Sequence, residues 1–336
     1  MQYTPALDGL RALAVLAVMA FHCKLPFALG GFNGVEVFFV LSGFLITSIL
    51  RQELGVSGRI NLIHFYYRRA VRLFPPLIFF LAGYAAIGNI FFGESDQFID
   101  ILITILYLSD YGHAFWQVPS GIGHTWSLAV EQHFYLIWPF FLLVLRPVPI
   151  NRAISILLLV FVLATIWRII DLTIFHNWRQ TYFRFDTRLS GLILGSALAM
   201  VRFSYSRITL DCLGFFGLSM ILMGFAFGRF DDYQSLTLGV LQVDFGTAAI
   251  IVALASESHF SRMFSWLPAV KLGRISYAVY LWSVPISLVC RQNFDPYLAF
   301  TATAAISIPL SIISWIYVER PLMVSSRKNK TVSKSM

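Results

Sequence analysis

Three ionisable residues lie in the first two apolar stretches of the chain, where a simple membrane anchor would carry none. Arg11 and His22 belong to the first stretch, and Glu36 lies near the start of the second. Such groups are costly in hydrocarbon, so they normally face the interior of a helix bundle or a water-filled cavity. Histidine is suited to moving a proton near neutral pH, and arginine is a fixed cation. The sequence therefore predicts a functional polar site within the membrane.

The spacing of Arg11 and His22 places both side chains on one helix face. Eleven residues at 100° each turn a helix through about 1100°, which is three turns and roughly 20°. The two side chains are then about 16 Å apart along the axis. A short Pro/Gly turn returns the chain, so we expect Glu36 at the depth of His22, where its carboxylate would orient the imidazole. We predict His22 as a general base, with Glu36 and Arg11 as its catalytic partners.

Each of these residues also has a structural alternative. His22 could be a core histidine that makes a hydrogen bond between helices. Glu36 could form a salt bridge with Lys24 or Arg11, and Arg11 could belong to an ion pair that holds the bundle together. Ser42 has no base near it in sequence, so we predict a helix-packing role for it and no nucleophilic one.

The composition indicates the class of protein. Of the 336 residues, 58% are hydrophobic and 12% are charged, which is about half the charge of a soluble domain. We therefore predict an all-α, polytopic membrane protein with about ten transmembrane helices. The predicted spans are residues 7–24, 34–51, 73–92, 124–145, 152–170, 188–203, 209–228, 236–256, 274–291 and 297–318.

The connection between the second and third spans contains the segment NLIHFYYRRAVRLFPP, residues 61–76. Its aromatic and aliphatic side chains lie beside three arginines, a pattern that predicts an interfacial helix. Pro75 and Pro76 would occupy the first turn of the third span, where a missing N–H does not weaken the helix.

The distribution of charge predicts how the spans are oriented. The net charge of +8 comes from 25 Lys and Arg residues against 17 Asp and Glu residues. Most of the Lys and Arg residues fall in loops on the side of the two termini, so we expect both termini in the cytoplasm and no nucleic-acid partner. The three cysteines have no metal-binding spacing, and we expect no metal. We predict one membrane-embedded domain at 1–324 and a polar cytoplasmic tail at 325–336.

Seven features, in this order along the chain, resemble the acyltransferase-3 family of integral membrane acyltransferases. They are the spacing of Arg11 and His22, GVEVFFVLSGFLIT (34–47), the pair Arg69 and Arg72, HTWSLAVEQHFYLIWP (124–139), RFDTRLSGLILGSALA (184–199), LGRISYAVYLWSVPI (272–286) and YVERP (317–321). The resemblance covers nearly the whole chain, and its strength lies in the ordered set.

This resemblance implies a multi-pass enzyme of the bacterial inner membrane that takes an acetyl group from cytoplasmic acetyl-CoA. The acceptor would be a hydroxyl of a cell-surface or secreted glycan, such as lipopolysaccharide O-antigen or an exopolysaccharide, at the outer side. Two positions depart from the family: Glu36 stands where Asp is common, and Ser283 stands where a His often follows the YLW segment. Some family members carry a further extracytoplasmic catalytic domain. Because this chain stops after the last span, we expect its chemistry within the membrane domain or shared with a partner.

Arg69 and Arg72 stand three residues apart, on one face of a helix. The acetyl-CoA implied by the resemblance carries a 3′-phosphate and a diphosphate, which guanidinium groups bind bidentately. We predict that Arg69 and Arg72 bind this cofactor and that Arg11 contacts it as it extends towards His22. Glu319, in YVERP, is expected to pair with these arginines. The alternative role for the pair is anchoring to anionic lipid.

Two further pairs are candidates for binding the acceptor. Glu131 and His124 are seven residues apart, roughly on one face of the fourth span, and could line the acceptor site. Their alternative role is a polar link between helices. In the outer connection at 171–187, Arg184 and Asp186 are interleaved with aromatic residues, which suits sugar binding. The alternative is the interfacial aromatic belt of any membrane protein.

A function from another class is also open. A transporter or flippase-like protein would move acyl groups or glycan precursors without making bonds, and its intramembrane charges would line a pathway. Such proteins are commonly built from inverted repeats, and none is visible in this sequence. We therefore predict the enzyme.

Overall fold

The computed structural model describes residues 3–93 and 96–324. Within these residues every regular element is helical, which confirms the predicted all-α fold. The predicted polar tail at 325–336 lies outside the described residues.

Fifteen α-helices follow one another along the described part of the chain. The first eight are α1 Pro5–His22, α2 Gly34–Ser57, α3 Leu62–Phe91, α4 Gln97–Ile105, α5 Ser109–Trp116, α6 Trp126–Leu145, α7 Ile150–Phe175 and α8 Trp178–Phe183. The others are α9 Leu189–Leu198, α10 Arg207–Phe227, α11 Val240–Ala253, α12 His259–Phe264, α13 Leu267–Arg274, α14 Ser276–Asn293 and α15 Pro296–Ile313. Single 3₁₀ turns precede α2, α6 and α9, and π-helical turns precede α11 and follow α15.

The membrane-spanning character of the fold is confirmed, and the number of spans differs from the predicted ten. Among the described residues, eight helices are long and apolar enough to cross a membrane. The pair α13 and α14, bent by 75°, would be a ninth. The sixth predicted span, 188–203, contains only the ten-residue helix α9, which is about 15 Å long and cannot cross a bilayer alone.

Residues 61–76, predicted as an interfacial helix ahead of the third span, are continuous with that span. These residues form the N-terminal part of α3, a continuous helix of 30 residues that includes Pro75 and Pro76 in its interior. Asn61 caps the helix, since its side chain accepts a hydrogen bond from the backbone N–H of His64 at 2.9 Å. A proline pair often marks a helix start, but within a bundle neighbouring helices can satisfy the backbone groups that it leaves free. Pro75 and Pro76 leave the carbonyls of Val71 and Arg72 without their usual N–H donors, and next to them the Tyr277 hydroxyl donates to the carbonyl of Leu73 at 3.2 Å.

Glycines bring α2 and α9 into backbone contact. A Cβ at Gly43 would overlap with the carbonyl of Leu192, and a Cβ at Gly195 would overlap with the carbonyl of Val40. Such contacts between small residues are typical of membrane helices. They fix the rotation of α2, so that the face with Val40 and Gly43 lies against α9, and the face with Ser42 looks into the bundle.

The packing of α1 against α2 sets the depth of the polar residues. The two helices run antiparallel, and Gly34 lies against the backbone of Ala14. At 1.5 Å per residue, Ser42 lies about 12 Å from Gly34 in one direction, and His22 lies about 12 Å beyond Ala14 in the other. Ser42 and His22 are therefore separated by roughly 20 Å in depth.

Candidate active site

Two adjacent cavities, which share several lining residues, lie between α1, α2, α3 and α14. The wider one, which we call the vestibule, has a volume of about 660 Å³ and lies where α1 begins. The narrower one, the inner cavity, has a volume of about 80 Å³ and also borders α6. Both are lined by Arg11, Arg69 and Arg72. The three arginines that the sequence predicts for the cofactor therefore lie together, at the junction of one passage.

The guanidinium groups of Arg69 and Arg72 are free of acidic partners. Among the described residues no carboxylate lies within 4 Å of either group. Arg69 instead lies over the rings of Phe65 and Tyr135, 5.8 and 5.7 Å from their centroids. Glu319, predicted to pair with these arginines, instead accepts a hydrogen bond from the Ser314 hydroxyl at 3.0 Å, although its side chain also lines the vestibule. Arginines without a paired acid are available to bind an anion.

Arg11 differs, because it has an acid of its own. Its guanidinium donates to Asp8 at 2.9 Å. The same carboxylate accepts a hydrogen bond from the Tyr3 hydroxyl at 2.6 Å. Two nitrogens of Arg274 donate to that hydroxyl, at 3.0 and 2.9 Å. Burial and the neighbouring Asp8 raise the pKa of Tyr3. The structural alternative for Arg11, an ion pair, is present, and the residue still faces the passage.

A carboxylate and two hydroxyl groups meet in the inner cavity. The Ser42 hydroxyl donates to Oε1 of Glu131 at 2.7 Å. The Tyr135 hydroxyl lies 3.0 Å from Glu131 Oε2 and 3.0 Å from Ser42 Oγ, and can donate to one of them at a time. Glu131 and Tyr135 share a face of α6 because they are four residues apart. Arg11 and Arg69 lie near enough for their charges to act on Glu131.

Glu131 and His124 do not line the same cavity. His124 is buried at the start of α6, with Nε2 3.1 Å from the carbonyl of Leu281 and its ring 5.4 Å from that of Tyr280. Tyr280 links the two positions, because its hydroxyl donates to the His124 carbonyl at 2.8 Å while the same side chain lines the inner cavity. Of the predicted pair, Glu131 is the residue that faces the passage.

The expectation that Glu36 orients His22 is wrong. The Glu36 carboxylate forms a buried ion pair with Arg188 through Oε1. Glu36 lies near the N-terminal end of α2, on the face that packs against α9, and roughly 15 Å from His22 in depth. A depth estimate from residue number carries no information about that rotation. The alternative role predicted for Glu36 is a salt bridge. A salt bridge is present, but its partner is Arg188 and neither Lys24 nor Arg11.

The Glu36–Arg188 pair belongs to a larger buried group, which we call the ion network. Arg188 also lies over the rings of Tyr182 and Trp126, at 4.8 and 5.6 Å. Arg168 donates to Ser190 at 2.8 Å, and Ser190 donates to Asp244 at 2.8 Å. Two arginines and two acids thus compensate one another between α2, α7, α9 and α11.

His22 ends α1 and lines neither cavity. Its carbonyl accepts a hydrogen bond from Arg291 at 3.3 Å. The predicted general base therefore lies outside both cavities.

Arg184 and Asp186 form a cluster apart from both cavities. Arg184 donates to Asp171 at 2.9 Å and pairs with Asp186. Asp186 also accepts hydrogen bonds from Trp167, at 2.8 Å, and from Tyr111, at 3.3 Å. Burial, together with the charge of Asp186, raises the pKa of Tyr111 to about 12. The two residues that the sequence predicts for sugar binding are thus brought together, with their charges mutually satisfied.

Sequence reasoning missed the hydroxyl residues of the inner cavity. Ser127, Glu131 and Tyr135 recur every four residues along α6, and that spacing is a signal that could have been read. The contact between Ser42 and Glu131 joins positions 89 residues apart, so no local pattern could reveal it.

Comparison with known proteins gives the family. The model of the acyltransferase 3 family, described as an acyltransferase domain, matches residues 4–318. The chain belongs to the acyltransferase-3 family. The resemblance carried by the ordered motifs is therefore confirmed.

Named relatives cover nearly all of this chain. The O-acetyltransferase OatA of Staphylococcus aureus (strain NCTC 8325 / PS 47) is 31% identical over 96% of this chain and 57% of its own length. The peptidoglycan O-acetyltransferase OatA of Listeria monocytogenes is 34% identical over 85% of this chain and 49% of its own length. The chain thus spans about half the length of the curated relatives it matches. No solved structure gives a significant match.

Proposed function

We propose that this acyltransferase-3 domain is a membrane O-acetyltransferase that moves an acetyl group from cytoplasmic acetyl-CoA to a hydroxyl of an envelope glycan. One observation carries the proposal. A wide vestibule and an inner cavity share the unpaired arginines Arg69 and Arg72, and the inner cavity is also lined by the half-buried carboxylate of Glu131. Family membership and the names of the relatives supply the reaction class.

The two cavities suit the two ends of the donor. The vestibule, at about 660 Å³, has room for a nucleotide, and its arginines complement phosphate groups. The inner cavity, at about 80 Å³, has room for little more than an acetyl thioester. A charged cofactor cannot cross hydrocarbon, but a thin neutral pantetheine arm can enter a passage lined by protein.

Two residues are candidates for the general base. Glu131 lies in the inner cavity, and His22 lies roughly 20 Å further towards the other end of α1. Because of this distance, only one of the two residues can act on a thioester held at a given position. We propose that His22 acts on the acceptor hydroxyl if the pantetheine arm passes beyond Tyr280, and that Glu131 acts if the thioester stops in the inner cavity.

Activity of the variant His22→Ala decides between the two. If His22 is the base, transfer to the glycan should fall by about 10²–10⁴-fold while acetyl-CoA binding stays within error of the wild type. Normal transfer by well-folded His22→Ala protein would assign the base to Glu131. A melting curve in detergent checks that the variant is folded.

The acceptor we propose is a cell-wall glycan. The Listeria relative is named a peptidoglycan O-acetyltransferase, and this points to peptidoglycan ahead of O-antigen or exopolysaccharide. Arg184 and Asp186 would bind the sugar on the outer side of a bacterial inner membrane, with both termini in the cytoplasm. Reporter fusions after Glu53 and at the C-terminus should both report a cytoplasmic position.

Thiol release tests the proposal against the transporter alternative. Purified protein with acetyl-CoA and peptidoglycan fragments should release free CoA thiol and add the mass of one acetyl group to the glycan. O-antigen and exopolysaccharide fragments serve as competing acceptors in parallel. Passage of labelled acetyl-CoA or glycan into vesicles, with no thiol released with any acceptor, would overturn the enzyme and favour the transporter.

A further inference from the structure

Ser42 stands on the part of α2 that lines the passage. Phe38, Ser42, Leu45 and Ile49 follow one another at helical spacing and all border the inner cavity or the vestibule. Ser42 Oγ is 2.7 Å from Glu131 Oε1, with the Ser hydroxyl as donor. A hydroxyl that donates to a half-buried carboxylate at the wall of a cavity is the arrangement of a nucleophile with its base.

A thioester that enters from the vestibule would meet this pair before His22. Arg11, Arg69 and Arg72 line both cavities, and Ser42 and Glu131 line the inner one. His22 lines neither cavity.

We propose that Ser42 is a catalytic nucleophile that carries the acetyl group as an acyl-serine intermediate, with Glu131 as its base. This inference rests on the proposed function, because it takes acetyl-CoA as the donor. It divides the reaction into a donor half and an acceptor half.

The donor half begins when Ser42 Oγ attacks the carbonyl carbon of the thioester and its proton passes to Glu131. The bond between the carbonyl carbon and sulfur breaks, and the sulfur takes the proton from Glu131, so free CoA thiol leaves. In the acceptor half, the oxygen of an acceptor hydroxyl attacks the acetyl ester and its proton passes to Glu131. The bond between the carbonyl carbon and Oγ breaks, and Glu131 returns the proton to Oγ. No oxidant or metal is needed.

The other serines on the passage lack this base. Ser127 lies 2.7 Å from the hydroxyl of Tyr280 and donates to the carbonyl of His124 at 3.4 Å. Tyr135 also reaches Glu131, at 3.0 Å. The shorter bond and the less hindered primary hydroxyl favour Ser42 over Tyr135 as the group that is acylated.

Isotope exchange between labelled CoA and unlabelled acetyl-CoA, with no acceptor present, tests the donor half. An acyl-enzyme returns its acetyl group to labelled CoA, so the purified wild-type protein should form labelled acetyl-CoA. Ser42→Ala should lower this exchange at least 100-fold, and Ser42→Cys should retain a measurable rate through a thioester. Ser48→Ala is the matched control, since Ser48 lies six residues further along the same helix and lines neither cavity.

Mass mapping of peptides from acetyl-CoA-treated, acid-quenched protein identifies the acylated residue. The acetyl group is expected on the peptide containing Ser42, and in Ser42→Cys protein it should become labile to hydroxylamine. An acetyl group on Tyr135 or His22, or normal transfer by folded Ser42→Ala protein without exchange, would overturn the acyl-serine. In both cases the wild-type protein would still release thiol in the presence of glycan, so the proposed function would survive. If the wild-type protein released no thiol, the proposed function itself would fail.

Discussion

Two carboxylates lie against different faces of α2, in opposite situations. Glu36 faces α9 and pairs with Arg188 in a closed network of matched charges. Glu131 meets the other face at Ser42, where its partners are hydroxyl groups and a cavity. A carboxylate that is fully paired stabilises the bundle. A carboxylate that faces a cavity with hydroxyl groups remains available to accept a proton, so an acid within the membrane is informative only once its surroundings are known.

The arginines divide in the same way. Arg168 and Arg188 are completely buried between helices and lie beside acids or rings. Arg69 and Arg72 border the passage and have no carboxylate within 4 Å among the described residues. The comparison therefore predicts that changes in the ion network alter folding, and that changes on the passage alter binding and chemistry.

The largest expected effect is on the passage, in the variant Glu131→Gln. The amide keeps the shape and can still accept the Ser42 hydrogen bond, but it cannot take a proton. Acetyl transfer should fall by about 10²–10⁴-fold while the melting temperature changes little. Thiol release with peptidoglycan fragments measures the rate. A normal rate in folded Glu131→Gln protein would break the distinction between the two faces of α2.

The variant Glu36→Gln should act on stability instead. It leaves Arg188 buried without its compensating charge, which typically costs about 3–5 kcal/mol. Denaturant unfolding in detergent measures the loss. Glu53→Gln is the control, because the exposed pair of Glu53 with Arg68, at 3.4 Å, is worth about 0–1 kcal/mol. If Glu36→Gln protein were as stable as the wild type but inactive, Glu36 would belong to the reaction after all.

The variants Arg69→Ala and Arg72→Ala should each weaken acetyl-CoA binding by about 10–100-fold, because each removes charge-assisted hydrogen bonds worth about 1.5–3 kcal/mol. Lysine at either position should restore part of the affinity, since a point charge lacks the bidentate fork. Equilibrium binding of labelled acetyl-CoA measures this. Arg59→Ala, in an exposed turn outside both cavities, is the control. Unchanged affinity in both alanine variants would leave the pair with a topological role.

Sequence reasoning succeeded for features that can be inferred from one helix at a time. The all-α fold, the positions of most spans and the approach of Arg11 to the pair Arg69 and Arg72 follow from composition, periodicity and the ordered motifs. It failed where rotation or partner choice is set by another helix. The Gly43 contact with Leu192 turns Glu36 towards Arg188, and nothing near Glu36 in sequence specifies that contact.

The same limit explains the two errors in the fold. The sixth span has the apolar composition of a membrane helix, but the chain there supplies only ten helical residues, which pack between α2 and α7. A proline pair is typical of a helix start, but the bundle accommodates Pro75 and Pro76 within α3. The local sequence around Ser42 predicts only packing, because its hydrogen-bond partner Glu131 comes from a helix far along the chain.

The smallest expected effect concerns His113, on α5. It tests whether this residue, like the paired residues of the ion network, affects stability and not acetyl transfer. His113 Nε2 accepts a hydrogen bond from Arg179 at 3.1 Å, and the His113 carbonyl accepts a second at 3.1 Å. Burial, followed by the charge of Arg179, lowers the pKa of His113 to about 4, below the usual value near 6.5. Between these two values the unfolded chain binds a proton that the folded protein does not, so stability is lost as the pH falls from about 6.5 to 4.

A neutral replacement should remove that pH dependence. In the variant His113→Gln the melting temperature should fall less between pH 7 and pH 4.5 than in the wild type, and acetyl transfer at pH 7 should stay near normal. His176→Gln is the control, because His176 lies at the C-terminal end of α7 and its side chain is exposed. An identical pH dependence in wild type and His113→Gln would show that His113 is not held neutral. A large loss of transfer would instead place α5 with the passage, because a paired residue outside it should affect stability alone.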